Sequence, residues 1–462
     1  MNRKNNRLTK KVFLQVIQPF QEFIRLESAA GLLLLLCTVM ALLFANSSVG
    51  HYYTGFWQTE ISLSIDGVGL TKSLLHWIND GLMCIFFFVV GLEIKRELVI
   101  GELASFRRAI FPVAAAFGGM VVPAFIYILL NRDTSAISGW GIPMATDIAF
   151  SLGVLAVLGS RIPHQLKVFL TAFAIVDDLG AVLVIAFFYG TQIQWFFLIA
   201  AAFIFIVLLF ANWGGIHHPL PYLILGTALW LAMLESGIHA TVAGVLLAMT
   251  IPVRPKIDTK DFHEIIQSLL SRFKEKESGS QEGVLNQNQQ SLVQTIELSC
   301  HKVETPLQRF EQRFHPWVTY FIMPLFAFAN AGIIFQGTLT SLLFTPLALG
   351  IVFGLVIGKQ IGITLFSWIA VKSKLAVLPA GVSWKHIYGI SWLGGIGFTM
   401  SLFVANLAFT SEQMLNTSKA AIFAASLAAG IIGLIVLRFI ASSPSEKKLS
   451  LASKDTNANE KV

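Results

Sequence analysis

The stretch TAFAIVDDLGAVLVIAFF, residues 171–188, places Asp177 and Asp178 side by side in an apolar run long enough to cross a lipid bilayer. An aspartate at the centre of a membrane helix costs ~2.5–3.5 kcal/mol, so the pair costs roughly 5–7 kcal/mol. That cost uses up most of what the apolar residues of the run contribute, at about −0.3 to −0.6 kcal/mol each. Carboxylates kept at such a cost indicate a function inside the membrane rather than a packing role.

The whole chain has the composition of a polytopic membrane protein. Of its 462 residues, 55% are hydrophobic and 13% are charged, and the mean hydropathy is +0.70. Its apolar runs repeatedly reach the length of a membrane helix, which predicts an all-α fold with about twelve transmembrane helices. The predicted spans are 29–46, 74–99, 109–130, 136–157, 164–189, 194–212, 219–234, 237–252, 315–335, 346–370, 386–409 and 417–440.

The distribution of Lys and Arg predicts the orientation of these spans. One side receives the basic N-terminus, the loops with Lys95, Arg96, Arg107 and Arg108, and the long stretch from Arg254 to Arg313, whereas the other side has few cations. Positive loops stay cytoplasmic, so both termini are expected inside the cell. The formal charge of +7 therefore reflects orientation rather than nucleic-acid binding. The N-terminus lacks the pattern of a cleaved signal.

Three segments lie outside the predicted spans of a transmembrane domain that covers residues 1–440. TEISLSIDGVGL, 59–70, alternates around an Asp-Gly turn and predicts a β-hairpin on the outer side. The stretch 254–314 is a long cytoplasmic loop whose polar middle favours a flexible segment, with an unstructured connector as the simplest interpretation. Residues 441–462 are expected to form a disordered cytoplasmic tail. Three widely spaced cysteines indicate packing residues rather than disulfides.

Neighbouring carboxylates on a helix point about 100° apart, so they can flank one cavity and contact different partners. A buried carboxylate beside another takes up a proton near neutral pH, or it binds a small hard cation through oxygen. Because proton and cation compete for the same charge, the pair is suited to an exchanger. Lys359, the lone charge between Val318 and Val371, is expected to pair with Asp177 or Asp178, although a lysine reaching an interface is the simpler alternative.

Two spans contain signals that interrupt a helix. GIPMATDIAFSLG, 141–153, sets Pro143 and Thr146 beside Asp147, and LGGIGFTMSLF, 393–403, has three glycines in five residues. Broken backbone at membrane depth is tolerated inside protein or around a cavity, and a pair of such spans indicates a transporter site. Opposed broken helices would gather helix N-termini that Asp147 neutralises and helix C-termini that Lys359 neutralises.

At these residues the chain resembles the NhaA-type sodium/proton antiporters of bacterial inner membranes. The resemblance runs from about residue 20 to 440, the central loop excepted. It implies inverted repeats with two broken helices that cross at the midplane of the membrane. The motifs that carry it are NDGLMCIFFFVVGLEIKREL (79–98), ATDIAF (145–150), DDLGA (177–181), SGIHAT (236–241), HPWVTYFIMPLFAFANAG (315–332) and GIGFTMS (395–401).

The resemblance also implies roles for individual residues. Asp178 corresponds to the cation-binding aspartate, Asp177 to the neighbour that exchanges protons and pairs with the lysine, and Lys359 to that lysine. Thr146 and Asp147 correspond to the unwound segment and its compensating charge. The expected pH-sensing residues are Glu311, His315, Glu93 and Arg96, with His239 nearby, and Asp80 is expected to be a structural charge.

The resemblance implies an electrogenic, pH-regulated Na+(Li+)/H+ antiporter that works as a homodimer through the 59–70 hairpin. The predicted partners are Na+, Li+, H+ and the lipid bilayer, with no enzymatic activity, no cofactor and no metal beyond transported Na+. Departures from the family pattern are Gln360, where proline usually follows the lysine, and Gln308 and Gln312 in the pH-sensing stretch. His239 is also consistent with a residue whose hydrogen bonds between helices are satisfied. The basic residues of GLEIKREL are also consistent with a role only in fixing the orientation of the span in the membrane.

Two other classes share some of these features. Intramembrane aspartyl proteases need two carboxylates from different helices that face one water, which adjacent Asp177 and Asp178 do not supply, although Asp147 with one of them would. Cation channels use rings of charges or carbonyls and no intramembrane lysine.

Overall fold

The computed structural model describes residues 27–441, apart from 66–67, 191, 276–286 and 335–341. The described chain is mainly helical and contains one two-stranded sheet. The strands are Glu60–Ile65 and Val68–Ser73. The helices are Glu27–Ala45, Gly50–Gln58, Leu74–Val99, Glu102–Ala104, Phe106–Asn131, Ser135–Met144, Ile148–Val157, Gly159–Arg161, His164–Phe188, Trp195–Trp213, Pro219–Ser236, Val242–Thr250, Thr259–Glu275, Gln287–Val303, Pro306–Trp317, Val318–Ile322, Met323–Asn330, Pro346–Lys372, Trp384–Gly394, Phe398–Ala408 and Glu412–Ala441.

The described residues contain seven unbroken helices that are long and apolar enough to cross a membrane, and three bent helix pairs that each pass the same test together. These ten correspond to ten of the twelve predicted spans. The other two predicted spans, 237–252 and 315–335, are helical over Val242–Thr250 and up to Asn330. The chain is therefore the multi-span helical membrane protein that its hydropathy predicts.

The long helices form two groups that meet along one boundary. One group, the broken-helix bundle, is built from 106–131, 135–157, 164–188, 346–372, 384–408 and 412–441. The other group, the support bundle, is built from 74–99, 195–213, 219–236, 242–250 and 306–330. They meet where 74–99 packs on 164–188 and where 323–330 packs on 398–408, and the first helix packs on both groups.

The two ends of the molecule are distinguished by the hairpin and by the long connection after residue 254. The strands pair antiparallel with Glu60 opposite Ser73 and Ile65 opposite Val68, which confirms the predicted hairpin, although its turn at 66–67 lies outside the described residues. Helix 74–99 begins at the second strand, and Arg96 near its far end contacts Glu311. We call the first end the hairpin side and the opposite end the loop side.

Both predicted interruptions are present as bends. The first broken helix, 135–157, consists of a 3₁₀ segment to Met144 and an α-helix from Ile148, and these meet at 44°. The second broken helix, 384–408, bends by 44° between Gly394 and Phe398. Pro143 removes a backbone donor in the first, and a side chain on Gly395 or Gly397 would collide with backbone or side-chain atoms in the second.

Helices 106–131 and 346–372 approach each other through two glycines. A β-carbon on Gly118 would lie 2.3 Å from the Gly362 carbonyl oxygen, and one on Gly362 would lie 2.1 Å from the Gly118 carbonyl oxygen. The two backbones are therefore in direct contact, which only glycine allows.

The connection at 254–314 differs from the unstructured connector that its composition suggests. It contains the helices Thr259–Glu275 and Gln287–Val303, which pack on each other. The first is strongly amphipathic, so it offers one apolar face for packing. The tail predicted to be disordered lies, from residue 442 on, outside the described residues.

Candidate functional site

Asp177 and Asp178 lie at the middle of helix 164–188, and both side chains are fully buried. They point in different directions, as adjacent helix positions must. Asp177 contacts Lys359, whereas Asp178 lines a cavity. The predicted division of the two carboxylates between different partners is therefore present in the structure.

Lys359 is buried in the broken-helix bundle, not at an interface. Its Nζ donates to Asp177 Oδ2 at 2.7 Å and to Thr146 Oγ1 at 2.9 Å, and it lies 5.7 Å from the ring centre of Phe173. A π-helical turn, Gly354–Gly358, immediately precedes it in a helix that continues through Gln360. Of the two candidate partners that sequence reasoning left open, the structure selects Asp177.

Asp147 sits at the break of the first broken helix and contacts both helix N-termini. One carboxylate oxygen accepts from the Phe150 N–H at 2.9 Å and so caps helix 148–157. The other accepts from the Thr399 N–H at 3.1 Å and from the Thr399 hydroxyl at the start of helix 398–408. These bonds place the carboxylate at two converging N-termini, and its compensation of their partial positive charges stays a prediction.

The corresponding role of Lys359, neutralising the helix C-termini, also stays a prediction. Among the described residues, Lys359 Nζ bonds to Asp177 and Thr146 rather than to the carbonyls that end the first halves of the broken helices. The Gly394 carbonyl instead accepts from the Thr146 hydroxyl at 2.8 Å, and the Ile396 carbonyl accepts from the Asp147 N–H at 2.7 Å. Thr146 therefore links the ammonium to the second break, because the two breaks lie in contact.

A cavity of about 380 Å³ connects the buried carboxylates with the loop side. Its lining includes Asp147 and Asp178 at one end and Glu93 and His315 at the other. The His315 side chain is 54% exposed, so the cavity reaches the surface of the protein there. Asp178 Oδ1 is buried without a hydrogen-bond partner in the described chain, which leaves one acidic oxygen unsatisfied in a residue that lines the cavity.

Four predicted pH-sensing residues meet at the loop-side end of this cavity. Arg96 pairs with Glu311 and lies 3.2 Å from Glu97, while His315 lies 4.0 Å from Glu93. Burial raises the pKa of Glu311 above its ordinary value, Arg96 opposes this, and the negative charge of Glu97 adds to it. These residues form a charged cluster at the loop-side end of the cavity.

The structure does not place His239 near this cluster. Helix 219–236 runs from the loop side to the hairpin side, so His239, three residues beyond its end, lies at the opposite side of the molecule. Its ring lies 5.8 Å from that of Phe403, and Nδ1 lies 3.4 Å from Thr241 Oγ1. Asp80 lies at the hairpin side as well, 2.7 Å from His76. The roles of both stay predictions.

The two glutamines that depart from the family pattern have different surroundings. Thr305 Oγ1 accepts from the Gln308 N–H at 3.1 Å, and Gln308 Oε1 accepts from the Thr305 N–H at 3.4 Å. These reciprocal bonds form a capping box at the start of helix 306–317. Gln312 is exposed beside Arg309 and Arg313.

Sequence reasoning missed two residues of the site. Thr399 contacts Asp147, and its position inside GIGFTMS, directly after the glycines, was the available signal. Glu97 shares Arg96 with Glu311, and its position directly after Arg96 in GLEIKREL was the available signal.

Comparison with known proteins agrees with the geometry. The sequence model of the family described as Na+/H+ antiporter 1 matches residues 21–437. A Na(+)/H(+) antiporter NhaA from Oleidesulfovibrio alaskensis is 49% identical over 92% of this chain and 95% of its own length. Similar relatives are Na(+)/H(+) antiporter NhaA 1 from Saccharophagus degradans, 46% identical over 96% of both chains, and Na(+)/H(+) antiporter NhaA from Koribacter versatilis, 49% identical over 94% of both chains.

Proposed function

The chain belongs to the Na+/H+ antiporter 1 family and exchanges sodium ions for protons, and from this premise we propose which residues carry the exchange. Asp178 is the residue on which Na+ and H+ compete. The observation that carries this proposal is its buried, unpartnered carboxylate oxygen, in a residue that lines a cavity that reaches the loop side. A small hard cation prefers oxygen ligands, and a proton neutralises the same charge.

Asp177 and Lys359 form the second part of the mechanism. Their buried ion pair keeps both groups charged in a site that otherwise penalises charge. When Asp177 takes part in binding a cation or accepts a proton, its bond to the ammonium weakens, and Thr146 remains as the second ligand of Lys359. Ion binding is thereby coupled to contacts at the crossing of the broken helices.

Asp147 is proposed to hold that crossing together during exchange. It accepts from groups at the start of both second halves, Phe150 and Thr399, so it joins the two broken helices at one carboxylate. Because it also lines the cavity beside Asp178, its charge adds to the attraction for a cation at the inner end.

The loop-side cluster is proposed to regulate access to the cavity with pH. Glu93 and His315 line its mouth, and the ion pair of Arg96 with Glu311 joins helices 74–99 and 306–330 beside them. Protonation of the acidic members weakens this pair, so the separation of the two helix ends depends on pH.

Further features of the family resemblance are carried here as proposals. The protein lies in the bacterial inner membrane with the loop side in the cytoplasm, which the basic loops favour. It forms a homodimer through the hairpin, since each of its two strands has an outer edge that does not pair with the other strand and can pair with a second copy. It also accepts Li+, a smaller hard cation, and moves net charge because both Asp177 and Asp178 can release protons as one cation binds.

Exchange in everted membrane vesicles tests the assignment of Asp178. In wild type, adding Na+ is expected to collapse a preformed proton gradient. Asp178→Asn is expected to reduce this response to the background of vesicles without the protein, because the amide neither carries the charge nor releases a proton. The matched control is Asp133→Asn, which changes an exposed aspartate and is expected to leave exchange unchanged. Full exchange in Asp178→Asn would refute the assignment.

A further inference from the structure

Three helices that lie along the boundary between the bundles carry side chains in the same order along the membrane normal. Residues that line the cavity come first, then a buried phenylalanine, and then an asparagine nearest the hairpin side. The three sets are Val90, Phe87 and Asn79 on helix 74–99, Met323, Phe326 and Asn330 on helix 306–330, and Met400, Phe403 and Asn406 on the second broken helix.

The phenylalanine layer closes the cavity from above. Phe403 has no exposed surface, and its ring centre lies 5.5 Å from that of Phe87 and 6.2 Å from that of Phe326, neither of which is exposed. Phe403 follows Thr399, the contact of Asp147, by four residues, which is about 6 Å along a helix. The three rings, which we call the phenyl layer, therefore lie about one helical turn from the site towards the hairpin side.

The asparagine layer joins the two bundles by hydrogen bonds. Asn330 is fully buried, and its Nδ2 donates to Asn79 Oδ1 at 2.9 Å within the support bundle. Asn406 Nδ2, from the broken-helix bundle, donates to Asn330 Oδ1 at 2.9 Å. These three side chains, the amide layer, satisfy one another where the boundary between the bundles would otherwise be apolar, and a buried amide that loses such a partner is costly.

The cavity and the two layers give the site different access from the two sides. On the loop side, Asp178 and Glu93 share one cavity that reaches the surface at His315. On the hairpin side, Phe403 and Asn330 are completely buried, whereas Asn79 and Asn406 are partly exposed, so it is the phenyl layer that separates the cavity from that side in this arrangement. An antiporter must at some stage reverse this access, because an ion that enters from one side has to leave on the other.

We propose that the phenyl layer and the amide layer are the hairpin-side gate of the ion path, and that separation of Asn406 from Asn330 opens it. This inference rests on the proposed function, since it assumes that ions bound at Asp178 leave past Phe403. The amide layer is a latch that breaks and reforms between the bundles, and the phenyl layer is the seal beneath it. Once separated, the amide oxygens of Asn79 and Asn330 offer oxygen ligands to an ion on its way through.

Thiol labelling from each side of the membrane tests the gate without requiring ion exchange. Met400→Cys places a thiol directly beneath Phe403, in a background where Cys37, Cys84 and Cys300 are replaced by serine or alanine. A charged, membrane-impermeant methanethiosulfonate is applied to one face of sealed vesicles at a time. The parent is expected to react from the loop side and slowly from the hairpin side.

Asn406→Leu removes the hydrogen bond across the boundary while keeping the side-chain size. The rate of labelling from the hairpin side is expected to rise about tenfold, which corresponds to the loss of one buried hydrogen bond that favours the closed state. Phe403→Ala is expected to raise the same rate at least as much, because it removes the seal itself.

Asn131→Leu is the matched control. Asn131 is a fully buried asparagine at the same side, and its Nδ2 donates to the Tyr127 and Pro346 carbonyls at 3.1 Å each, both within the broken-helix bundle. Its loss is expected to leave hairpin-side labelling unchanged. An equal rise in Asn131→Leu and Asn406→Leu would show general loosening and overturn the gate, as would an unchanged rate in both Asn406→Leu and Phe403→Ala. If the gate fails while Asp178→Asn still abolishes exchange, the proposed function stands.

Discussion

The two ends of the proposed ion path are built from different chemistry. At the loop side, the helix ends of the support bundle are joined by full charges, Arg96 with Glu311 and Glu97, around an open cavity mouth. At the hairpin side, neutral amides and phenyl rings join the two bundles, and the cavity is closed there. Carboxylates change charge with pH, whereas amides do not. The comparison teaches that pH can act directly on the ion pair that joins the helices at the loop side, whereas the side chains of the two hairpin-side layers carry no group that titrates, although His239 lies against Phe403 there.

The largest effect is expected at the buried ion pair of Lys359 and Asp177, midway between the two ends. Lys359→Met leaves Asp177 as a buried charge without its cation and is expected to destabilise the protein by about 3–5 kcal/mol. The double variant Lys359→Met with Asp177→Asn removes both charges and is expected to recover most of this loss. Thermal unfolding of the purified protein in detergent measures both, and a double variant as unstable as the single would contradict a paired charge.

Loss of the amide layer is the next largest effect and is expected not to depend on pH. Asn330→Ala leaves Asn79 and Asn406 without a shared partner, at a cost of about 1–3 kcal/mol. Because no group of the layer titrates, the fall in Tm is expected to be the same at every pH from 5 to 8. A fall that changed strongly with pH would erase the distinction between the two ends.

A smaller and pH-dependent effect is expected at the loop side. Burial raises the pKa of Glu311, so the folded protein binds this proton more tightly than the unfolded chain does. Stability from this group is therefore fully present below its ordinary pKa and falls as pH rises towards the raised value. Glu311→Gln is expected to flatten the dependence of Tm on pH over that window, and to make exchange activity less steep against pH.

The matched control for this variant is Glu102→Gln. Glu102 lies at the same side, but it is 41% exposed and lies 3.8 Å from Arg108. Because an exposed pair contributes little and its glutamate is screened by water, both pH profiles are expected to stay as in wild type. Equal changes in the two variants would show that the effect is one of net charge rather than of the Arg96 cluster.

The smallest effect is expected at Gln308, a departure from the family pattern whose hydrogen bonds with Thr305 cap a helix. Gln308→Ala removes one half of the capping box at Thr305 and is expected to cost about 0.5–1 kcal/mol in the first turn of helix 306–317. Hydrogen exchange of the amides in that turn measures this local loss. Gln312→Ala, at an exposed position outside the cap, is expected to leave the exchange rates there unchanged.

The sequence predicts the central charges well because their cost in a membrane makes them conspicuous. Asp147, Asp177, Asp178 and Lys359 each stand out in apolar runs, and the proline and glycine signals locate both breaks. The choice of Asp177 as the partner of Lys359 required the family resemblance or the structure. Spacing along one helix shows only that the two aspartates face different ways.

The hairpin-side layers were not predicted, because nothing in one chain segment marks them. An asparagine in or near an apolar run costs far less than an aspartate, and a phenylalanine there is ordinary. Their meaning comes from three distant segments whose side chains reach the same height, which depends on how the helices pack. The same limit explains why the expected position of His239 near the pH-sensing residues was not found. It lies at the hairpin side against Phe403, and only the packing of the helices shows this.

The contact of Gly118 with Gly362 has a mechanical consequence for the lysine. Two backbones in direct contact cannot slide or rotate past each other without separating. Helices 106–131 and 346–372 are therefore expected to move as one rigid unit. Lys359 lies three residues before Gly362 in this unit. The backbone that carries the ammonium is therefore not expected to move alone towards or away from the ion. Any backbone displacement of Lys359 during a transport cycle must be shared by both helices.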